Sequence, residues 1–172
     1  MSYCQFVQGR PEDDVHRRYH DLYYGTPLDD DNELFGRLIL EINQAGLSWE
    51  TILKKEDNFR TAFDVYDVNK IAGYSAFDVE RLMNNAGIIR NKLKISAVIF
   101  NAQAVQQIQK EFGSFKYWLD SQTANTKEEW VRLFKQHFKF VGGEIVNEFL
   151  MSTGYLPGAH DKTCFRWKEL QK

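Results

Sequence analysis

The sequence has few cysteines, no long hydrophobic run and no excess of basic residues, and each absence excludes a class of protein. Its two cysteines, Cys4 and Cys164, lie near opposite ends of the 172-residue chain, and a disulfide between them is not expected in a reducing compartment. The longest apolar run is Ala97–Phe100, so we expect no transmembrane helix and no membrane partner. The first residues lack the basic segment and apolar run of a signal peptide, which predicts a cytoplasmic protein.

Further absences concern the fold and the chemistry. No segment alternates apolar and polar residues over a useful length, so the pattern predicts an all-α protein. The sequence contains no GxSxG, Walker A, HExxH or GxGxxG motif, and the hydrolase, nucleotide-binding and metalloprotease signatures are therefore missing. A net charge of −2 and a pI near 6.1 argue against a generally sticky polycation, although a local basic face is compatible with both values.

Aromatic residues are what the chain has in abundance: 13 Phe, 8 Tyr and 4 Trp. Together with a hydrophobic content of 43%, they exclude a disordered chain. A core of this size requires fewer rings, so we expect some of them to line a site. The length fits one domain.

Periodicity and capping residues predict the helices. Apolar residues at helical spacing predict a helix over about Asp31–Gln44. Ser48 is a good N-cap for a helix from Trp49 to about Asp57, and Thr126 with Glu129 forms a capping box for a helix to about His137. The other predicted helices cover Glu12–Tyr23, about 68–73, about 76–85, Asn91 to about Glu111, and about Glu144 to Thr153.

Glu41 falls on the apolar face of the helix predicted over Asp31–Gln44, three residues after Leu38. A carboxylate that faces inward costs several kcal/mol unless it is paired or lines a wet cavity. Trp49 could form one wall of such a cavity. From the residues alone three interpretations stay open: a solvated residue on a helix phased differently, a buried ion-pair partner, or a pocket carboxylate.

His160 and Cys164 have the spacing of half a metal site, and Cys4 and His20 could supply the other half. A tetrahedral zinc with these two thiolates and two imidazoles would tie the N- and C-terminal segments together. The alternative is two unrelated thiols and two ordinary histidines. The spacing is unusual for a zinc finger, because most of the chain separates the two histidines.

The segment Leu82–Ile95 is predicted to be two helices joined by a tight turn at Gly87. Such a hairpin can direct backbone N–H groups and a helix N-terminus at a phosphate. Arg90, Lys92 and Lys94 add positive charge there. Many helix pairs turn at glycine, so this feature alone is weak evidence for DNA binding.

Five ordered sequence blocks resemble those of the 3-methyladenine DNA glycosylase I family, and the resemblance extends over about residues 3–165. The blocks are Tyr19-His20-Asp21, Leu40 to Trp49, Ala86 to Ile95, Phe138 to Gly142, and His160-x3-Cys164. The resemblance implies an all-α, helix-hairpin-helix DNA glycosylase fold in a single domain, residues 1–172. It also implies a hairpin-containing lobe at about 48–112 and a second lobe in which the N- and C-terminal segments pack together.

The resemblance implies an enzyme of base-excision repair, a DNA-3-methyladenine glycosylase. Such an enzyme hydrolyses the N-glycosidic bond of 3-methyladenine in alkylated double-stranded DNA after base flipping. It implies a catalytic, base-recognising role for Glu41, since a buried carboxylate accepts a hydrogen bond from a cationic base. The expected base pocket comprises Tyr19, Glu41, Trp49, Phe6 and Tyr24. The expected DNA contacts are Gln44, Gly46, Leu47 as an apolar wedge, Gly87, Arg90, Lys92 and Lys94. The expected ligands of a structural Zn²⁺ are Cys4, His20, His160 and Cys164.

Several positions depart from the family pattern, among them Gly143-Glu144 in place of a Pro-Thr pair and a shortened region before Phe138, and three departures bear on the pocket or the hairpin. Phe6 and Tyr24 stand where the family usually has Trp, and Leu93 stands where the hairpin usually has Gly; a side chain at Leu93 could displace a phosphate if the position requires a positive φ. No aspartate, Asp120 included, is assigned as the catalyst.

The alternatives are a catalytically weak or inactive, zinc-stabilised DNA-binding paralogue and an all-α ligand-binding domain that does not bind nucleic acid. We expect a monomer.

Overall fold

The computed structural model describes all residues, 1–172, and it contains helices and turns but no strand. The prediction of an all-α protein is confirmed. The helices are α1 (Tyr3–Val7), α2 (Val15–Leu22), α3 (Asp31–Gln44), α4 (Trp49–Lys54), α5 (Glu56–Ala62), α6 (Val68–Ala72), α7 (Ala76–Met83), α8 (Lys92–Phe112), α9 (Phe115–Asp120), α10 (Lys127–His137), α11 (Gly143–Ser152) and α12 (Phe165–Leu170), with one 3₁₀ turn at Asp64–Tyr66. None of them combines the length and the hydrophobicity that crossing a lipid bilayer requires.

Helix α3 is the centre of the molecule. Every residue from Leu34 to Asn43 is buried, and α3 contacts α4, α5, α6, α8, α9 and α11. A helix that is buried all round belongs to the interior, whereas a surface helix buries one stripe. The sequence pattern predicts one buried face for this segment, but six helices surround it. Any charged side chain in the middle of α3 therefore points into protein or into a cavity.

Local capping interactions account for the helix boundaries that the sequence predicts well. The Asp30 side chain accepts a hydrogen bond from the Glu33 N–H at 3.0 Å, which starts α3 at Asp31. Thr126 and Glu129 form the predicted capping box, each side chain bonding the backbone N–H of the other at 3.2 Å. These bonds depend only on residues three positions apart, so the sequence contains the information that determines them.

Other boundaries differ from the prediction. Helix α2 begins at Val15 and not at Glu12, because the Asp14 side chain caps it through the His16 and Arg17 N–H groups. The helix predicted over Trp49–Asp57 breaks at Lys55, where the backbone has φ −102° and ψ 2°, and the chain continues as α5. Three short helices, α1, α9 and α12, and the 3₁₀ turn are not predicted.

The 3₁₀ turn is left-handed. Asp64, Val65 and Tyr66 have φ values of 51°, 56° and 59°, a conformation that costs about 1–2 kcal/mol per residue for L-amino acids. The turn places the buried Tyr66 ring against α3 at Gly36, where an added Cβ would come within 2.2 Å of the ring. Gly36 therefore allows the turn to pack against α3.

Replacing Gly36 by alanine tests this packing. Gly36→Ala should lower the free energy of unfolding by about 1–3 kcal/mol, because the new methyl group must displace the Tyr66 ring. Gly143→Ala is the matched control: its Cβ would meet only the Lys127 side chain, at 3.6 Å, and helix propensity favours alanine there. Urea denaturation measures both variants. If Gly36→Ala were as stable as the wild-type protein, the close contact between Gly36 and Tyr66 would be unimportant for stability.

Candidate active site and metal cluster

Glu41 lies in the middle of α3 and is 4% exposed. Burial raises the pKa of its carboxyl group to about 8; the neighbouring Glu148 carboxylate adds to this rise, and the Arg37 guanidinium opposes it. No hydrogen bond to the protein contributes to the pKa of Glu41. The expectation that Glu41 faces inward is confirmed. A buried carboxyl group with no hydrogen-bond partner is the arrangement expected of a pocket, not of an ion pair.

Tyrosine and tryptophan rings cluster beside Glu41. The ring centroid of Tyr19 lies 5.3 Å from that of Trp49 and 5.6 Å from that of Tyr24. Burial raises the pKa of both tyrosine hydroxyls above the ordinary value, and the negative charge of Glu41 raises the two pKa values further. Three of the four rings predicted to form the pocket are therefore together, and two of them interact with the Glu41 charge.

Phe6, the fourth predicted ring, lies at the edge of this cluster. Its ring stacks on Tyr3 with a centroid distance of 6.0 Å, and the Arg10 guanidinium lies 4.2 Å from its centre on the more exposed side. Tyr3 in turn meets the Tyr24 ring edge-on at 5.3 Å. Tyr3 is not among the predicted pocket residues, but its ring joins Phe6 to the inner rings.

The loop between α3 and α4 presents Leu47 at the surface. Gly46 has a φ of +80°, which favours glycine, and the Gln44 side-chain amide donates a hydrogen bond to the Leu47 carbonyl at 2.8 Å. The Leu47 side chain is 37% exposed. A short, internally bonded loop that exposes one leucine has the shape expected of a wedge, and the assignment of Gln44, Gly46 and Leu47 to DNA contact stays a prediction.

The turn between α7 and α8 lies where the sequence predicts a hairpin. The Gly87 N–H donates to the Asn85 side chain at 2.8 Å, and the Gly87 carbonyl accepts from Asn58 at 3.1 Å. No residue of this turn has a positive φ, and Leu93 is 74% exposed on the first turn of α8. Leu93 therefore adopts its backbone conformation without strain, and this position does not require glycine.

Lys94 differs from the expectation that it adds free positive charge to the hairpin. Its side chain is buried, and its ammonium group donates to the carbonyls of Asn43 and Ala45 at 2.8 and 2.7 Å. These are unpaired carbonyls at the C-terminal end of α3, where a cation is favourable. Arg90 and Lys92, in contrast, are exposed. Lys94 thus joins the hairpin to the loop that carries Leu47.

Cys4, His20, His160 and Cys164 form a cluster that can hold a metal ion. Their ligand atoms all lie within 4.8 Å of one another. The Cys4 sulfur is 3.3 Å from His20 Nε2 and 3.7 Å from His160 Nδ1, and the two imidazole nitrogens are 3.2 Å apart. The Cys164 sulfur lies 3.7 Å from His20 Nε2 and 3.8 Å from His160 Nδ1. A tetrahedral site with ordinary metal–sulfur and metal–nitrogen bonds has edges of about 3.3–3.8 Å.

Outer hydrogen bonds orient the two imidazoles of the cluster. His20 Nδ1 lies 2.6 Å from an Asp21 carboxylate oxygen, and His160 Nε2 lies 2.7 Å from the Tyr24 carbonyl oxygen. Metal-binding histidines usually make such a bond with their second ring nitrogen, which selects the tautomer that presents the other nitrogen to the ion. The Tyr24 carbonyl also connects the cluster to the ring pocket.

Comparison with known proteins identifies the family. A sequence profile described as methyladenine glycosylase matches residues 10–132. DNA-3-methyladenine glycosylase 1 of Escherichia coli (strain K12) is 35% identical over an alignment of 173 positions, which covers 90% of this chain and 91% of the relative. DNA-3-methyladenine glycosylase of Haemophilus influenzae is 33% identical, over 83% of this chain and 88% of the relative. The chain belongs to the methyladenine glycosylase family.

Solved structures agree with this membership of the methyladenine glycosylase family. The 3-methyladenine DNA glycosylase I of Staphylococcus aureus superimposes with a TM-score of 0.82 at 32% identity, covering 95% of both chains. A variant of 3-methyladenine DNA glycosylase I in complex with 3-methyladenine gives a TM-score of 0.81 at 33% identity, covering 96% of this chain and 97% of the other. The fold of the whole chain is therefore that of the family.

This member of the methyladenine glycosylase family has a second carboxylate, Glu148, near Glu41, and the sequence gives no sign of it. Burial raises the pKa of Glu148, and Glu148 raises the pKa of Glu41, Tyr19 and Tyr24. Glu148 lies one turn before Ser152, whose carbonyl accepts a hydrogen bond from Arg37 at 3.3 Å. Glu148, the second polar residue after the apolar pair Ile145-Val146 in α11, has no distinctive signal in the sequence, because only the packing of α11 on α3 brings it near Glu41.

The pKa of Glu41 predicts a pH dependence of stability. The folded-state pKa of about 8 exceeds the ordinary glutamate pKa of 4.5, so near neutral pH the folded protein holds a proton that the unfolded chain releases. Wild-type stability should therefore fall relative to Glu41→Gln as the pH rises from 5 to 9, by about 2–4 kcal/mol. Urea denaturation of both proteins at several pH values measures the difference. A difference that stays constant with pH would contradict the raised pKa.

Proposed function

We propose that the chain is a base-excision repair enzyme that hydrolyses the N-glycosidic bond of 3-methyladenine in alkylated double-stranded DNA after base flipping. The observation that carries the proposal is Glu41, a buried carboxyl group without a hydrogen-bond partner, near the ring of Tyr19, which packs against the ring of Trp49. The names of the bacterial relatives support the same activity.

A cationic base satisfies the electrostatics of this pocket. Methylation at N3 gives the adenine ring of the nucleotide a positive charge, and aromatic faces attract cations. Burial and Glu148 disfavour ionisation of Glu41, whereas a cation a few ångströms away favours it. Binding of the charged base therefore releases the Glu41 proton and forms a charge-assisted hydrogen bond. Unmodified adenine has no such charge, so Glu41 keeps its proton and no charge-assisted hydrogen bond forms.

The reaction requires one bond to break and one to form. The bond between the sugar C1′ and N9 of the base breaks, and its electron pair moves to N9, which neutralises the positive ring. The oxygen of a water molecule bonds to C1′, and the water releases a proton. The charge of the alkylated base already weakens the glycosidic bond, so in this proposal Glu41 acts by binding the base and no second carboxylate is assigned to activate water.

DNA engagement in this proposal uses the surface next to the pocket. Leu47 fills the gap that the flipped base leaves, and the turn around Gly87 with Arg90 and Lys92 contacts the phosphates as a helix-hairpin-helix element. The hydrogen bonds from Lys94 to Asn43 and Ala45 support this proposal, because they join the turn around Gly87 to the loop that carries Leu47. We infer a hairpin-containing lobe at about 48–112 and a second lobe formed by the two terminal segments.

Zinc is the metal that we propose for the cluster of Cys4, His20, His160 and Cys164. Two thiolates and two imidazoles with tetrahedral edges suit Zn²⁺, and four protein ligands leave no position for a reacting water. The ion would therefore stabilise the fold and not take part in the reaction. The ligands come from the first twenty and the last thirteen residues, so the metal would hold the terminal segments together.

Metal removal tests the zinc proposal. The purified protein should contain about one zinc per chain, and chelation should lower its melting temperature by several degrees or more, since metal binding contributes to folding. Cys164→Ser should contain less zinc, melt at a lower temperature and respond little to the chelator. Thr163→Ser, at the neighbouring exposed position, is the control and should behave as wild type. Absence of metal together with a chelator-insensitive melting curve would refute the proposal.

A base-release assay tests the activity. Wild-type protein should release 3-methyladenine from methylated duplex DNA, detected by chromatography of the free base. Glu41→Gln should fold normally and release the base about 10–100 times more slowly, because a neutral amide forms a weaker bond to a cation. Glu111→Gln makes the same change at an exposed site on α8 and should retain wild-type activity.

The other outcomes of this assay separate the alternatives. Duplex binding that weakens with salt, without base release at micromolar protein, would favour the DNA-binding paralogue. Binding of free 3-methyladenine without any affinity for duplex would favour a ligand-binding domain. Equal rates for Glu41→Gln and wild type would show that Glu41 is not the base-binding carboxylate.

A further inference from the structure

A second cavity adjoins the pocket along α3. It has a volume of about 630 Å³ and lies between α2, α3, α4 and α5, with the 3₁₀ turn at one side. Tyr19 and Arg37 line it, but Glu41, Trp49 and Tyr24 do not. The cavity is therefore distinct from the proposed base pocket, and Tyr19 belongs to both. Its volume falls in the range of small-molecule sites.

Arg37 is the unusual residue of this cavity. It is 7% exposed, and its Nη1 donates hydrogen bonds to the Tyr19 hydroxyl and the Ser152 carbonyl, both at 3.3 Å. Its Nε and Nη2 bond no protein atom. The only fully buried side-chain nitrogen or oxygen without a partner is Arg166 Nε, so these two Arg37 nitrogens reach open space. A buried guanidinium without a carboxylate partner is unfavourable unless something else compensates its charge.

The carboxylates that line the cavity supply this compensation only in part. Arg60 and, less strongly, the Arg37 charge lower the pKa of Glu33, but no carboxylate bonds the Arg37 guanidinium. Arg60 holds two of them, Glu33 at 2.7 Å and Glu56 at 3.2 Å. The third, Asp57, is exposed to solvent, where its charge is screened. The free edge of Arg37 is therefore available, and the Nε and Nη2 donors of arginine match the two oxygens of a carboxylate.

The rest of the lining suits an apolar body. Leu28, Leu40 and Leu53 contribute aliphatic surface, and Tyr23 and Tyr66 contribute rings. The left-handed turn and Gly36 hold Tyr66 in its position against α3. A bare inorganic anion would leave this surface without a partner, so the lining favours a ligand with both a charged head and an apolar part.

We propose that this cavity binds a small organic anion, with its carboxylate on the free edge of Arg37 and its apolar body among the leucines and tyrosines. This site does not depend on DNA, on methyladenine or on the metal cluster. Its test is therefore independent of the proposed glycosylase activity.

Fluorine NMR with 4-fluorobenzoate as the probe tests the site. The wild-type protein should bind the probe saturably, whereas 4-fluorobenzamide, which has nearly the same shape and no charge, should bind at least about tenfold more weakly. Arg37→Met should abolish detectable binding. Arg37→Lys keeps the charge without the two-pronged geometry and should weaken binding about tenfold. Arg132→Met removes a cation from a separate groove beside α10 and should bind as wild type.

Leu53→Trp provides a second route, because Arg37 also bonds Tyr19 and Ser152 and its replacement could disturb the fold. This variant leaves Arg37 in place, fills the cavity and should weaken probe binding. Circular dichroism checks that each variant is folded. Absence of saturable binding to wild type, equal binding of the benzamide, or unchanged binding to a folded Arg37→Met would each overturn the proposal. Inorganic phosphate that displaces the probe at equal concentration would overturn the organic class of ligand.

Discussion

Two side chains of opposite charge, Arg37 and Glu41, lie one turn apart on a helix that is buried on every side. They do not neutralise each other by a direct contact: Arg37 donates to the Tyr19 hydroxyl and a backbone carbonyl, and the Glu41 pKa remains at about 8. Because an unpaired buried charge is unfavourable, Glu41 holds its proton at neutral pH unless a cation approaches it, whereas the Arg37 guanidinium stays charged. In the two proposals above, this difference lets Glu41 receive a cation and Arg37 an anion, and the surrounding helices keep water away from both groups.

The sequence contains the information for those features that depend on near neighbours. Asp30 and Thr126 start their helices through bonds to residues three positions further on, so capping rules predict α3 and α10 correctly. The inward direction of Glu41 follows from its spacing to Leu38, because helical periodicity relates residues within two turns. The metal cluster is different: its four residues are visible in the sequence, but spacing alone did not decide whether they meet, and only the resemblance to a family joined them.

Features that depend on packing between distant segments were not predictable. Glu148 is an ordinary glutamate on α11, and its effect on Glu41 arises because α11 packs on α3. In the sequence, Lys94 looks like one of three basic residues that face solvent at the hairpin. In the structure its ammonium group donates hydrogen bonds to two carbonyls at the end of α3. The left-handed turn at Asp64–Tyr66 contains no glycine, so the sequence gives no sign of its positive φ values. In each case the decisive partner is more than ten residues away, where propensity and periodicity carry no information.

The position of Tyr19 between the two sites has an energetic consequence. The Arg37 charge lowers the Glu41 pKa, but burial and Glu148 outweigh it, so the pocket still favours an added cation. An anion on Arg37 would offset part of the guanidinium charge, and Glu41 would then depend more strongly on a cation in its own pocket. Thermodynamic linkage makes this effect reciprocal: the factor by which a bound anion increases the affinity for a cationic base in one cavity is also the factor by which the bound base increases the affinity for the anion in the other. The two sites would therefore be positively coupled without any change in the backbone, through charges held one helical turn apart.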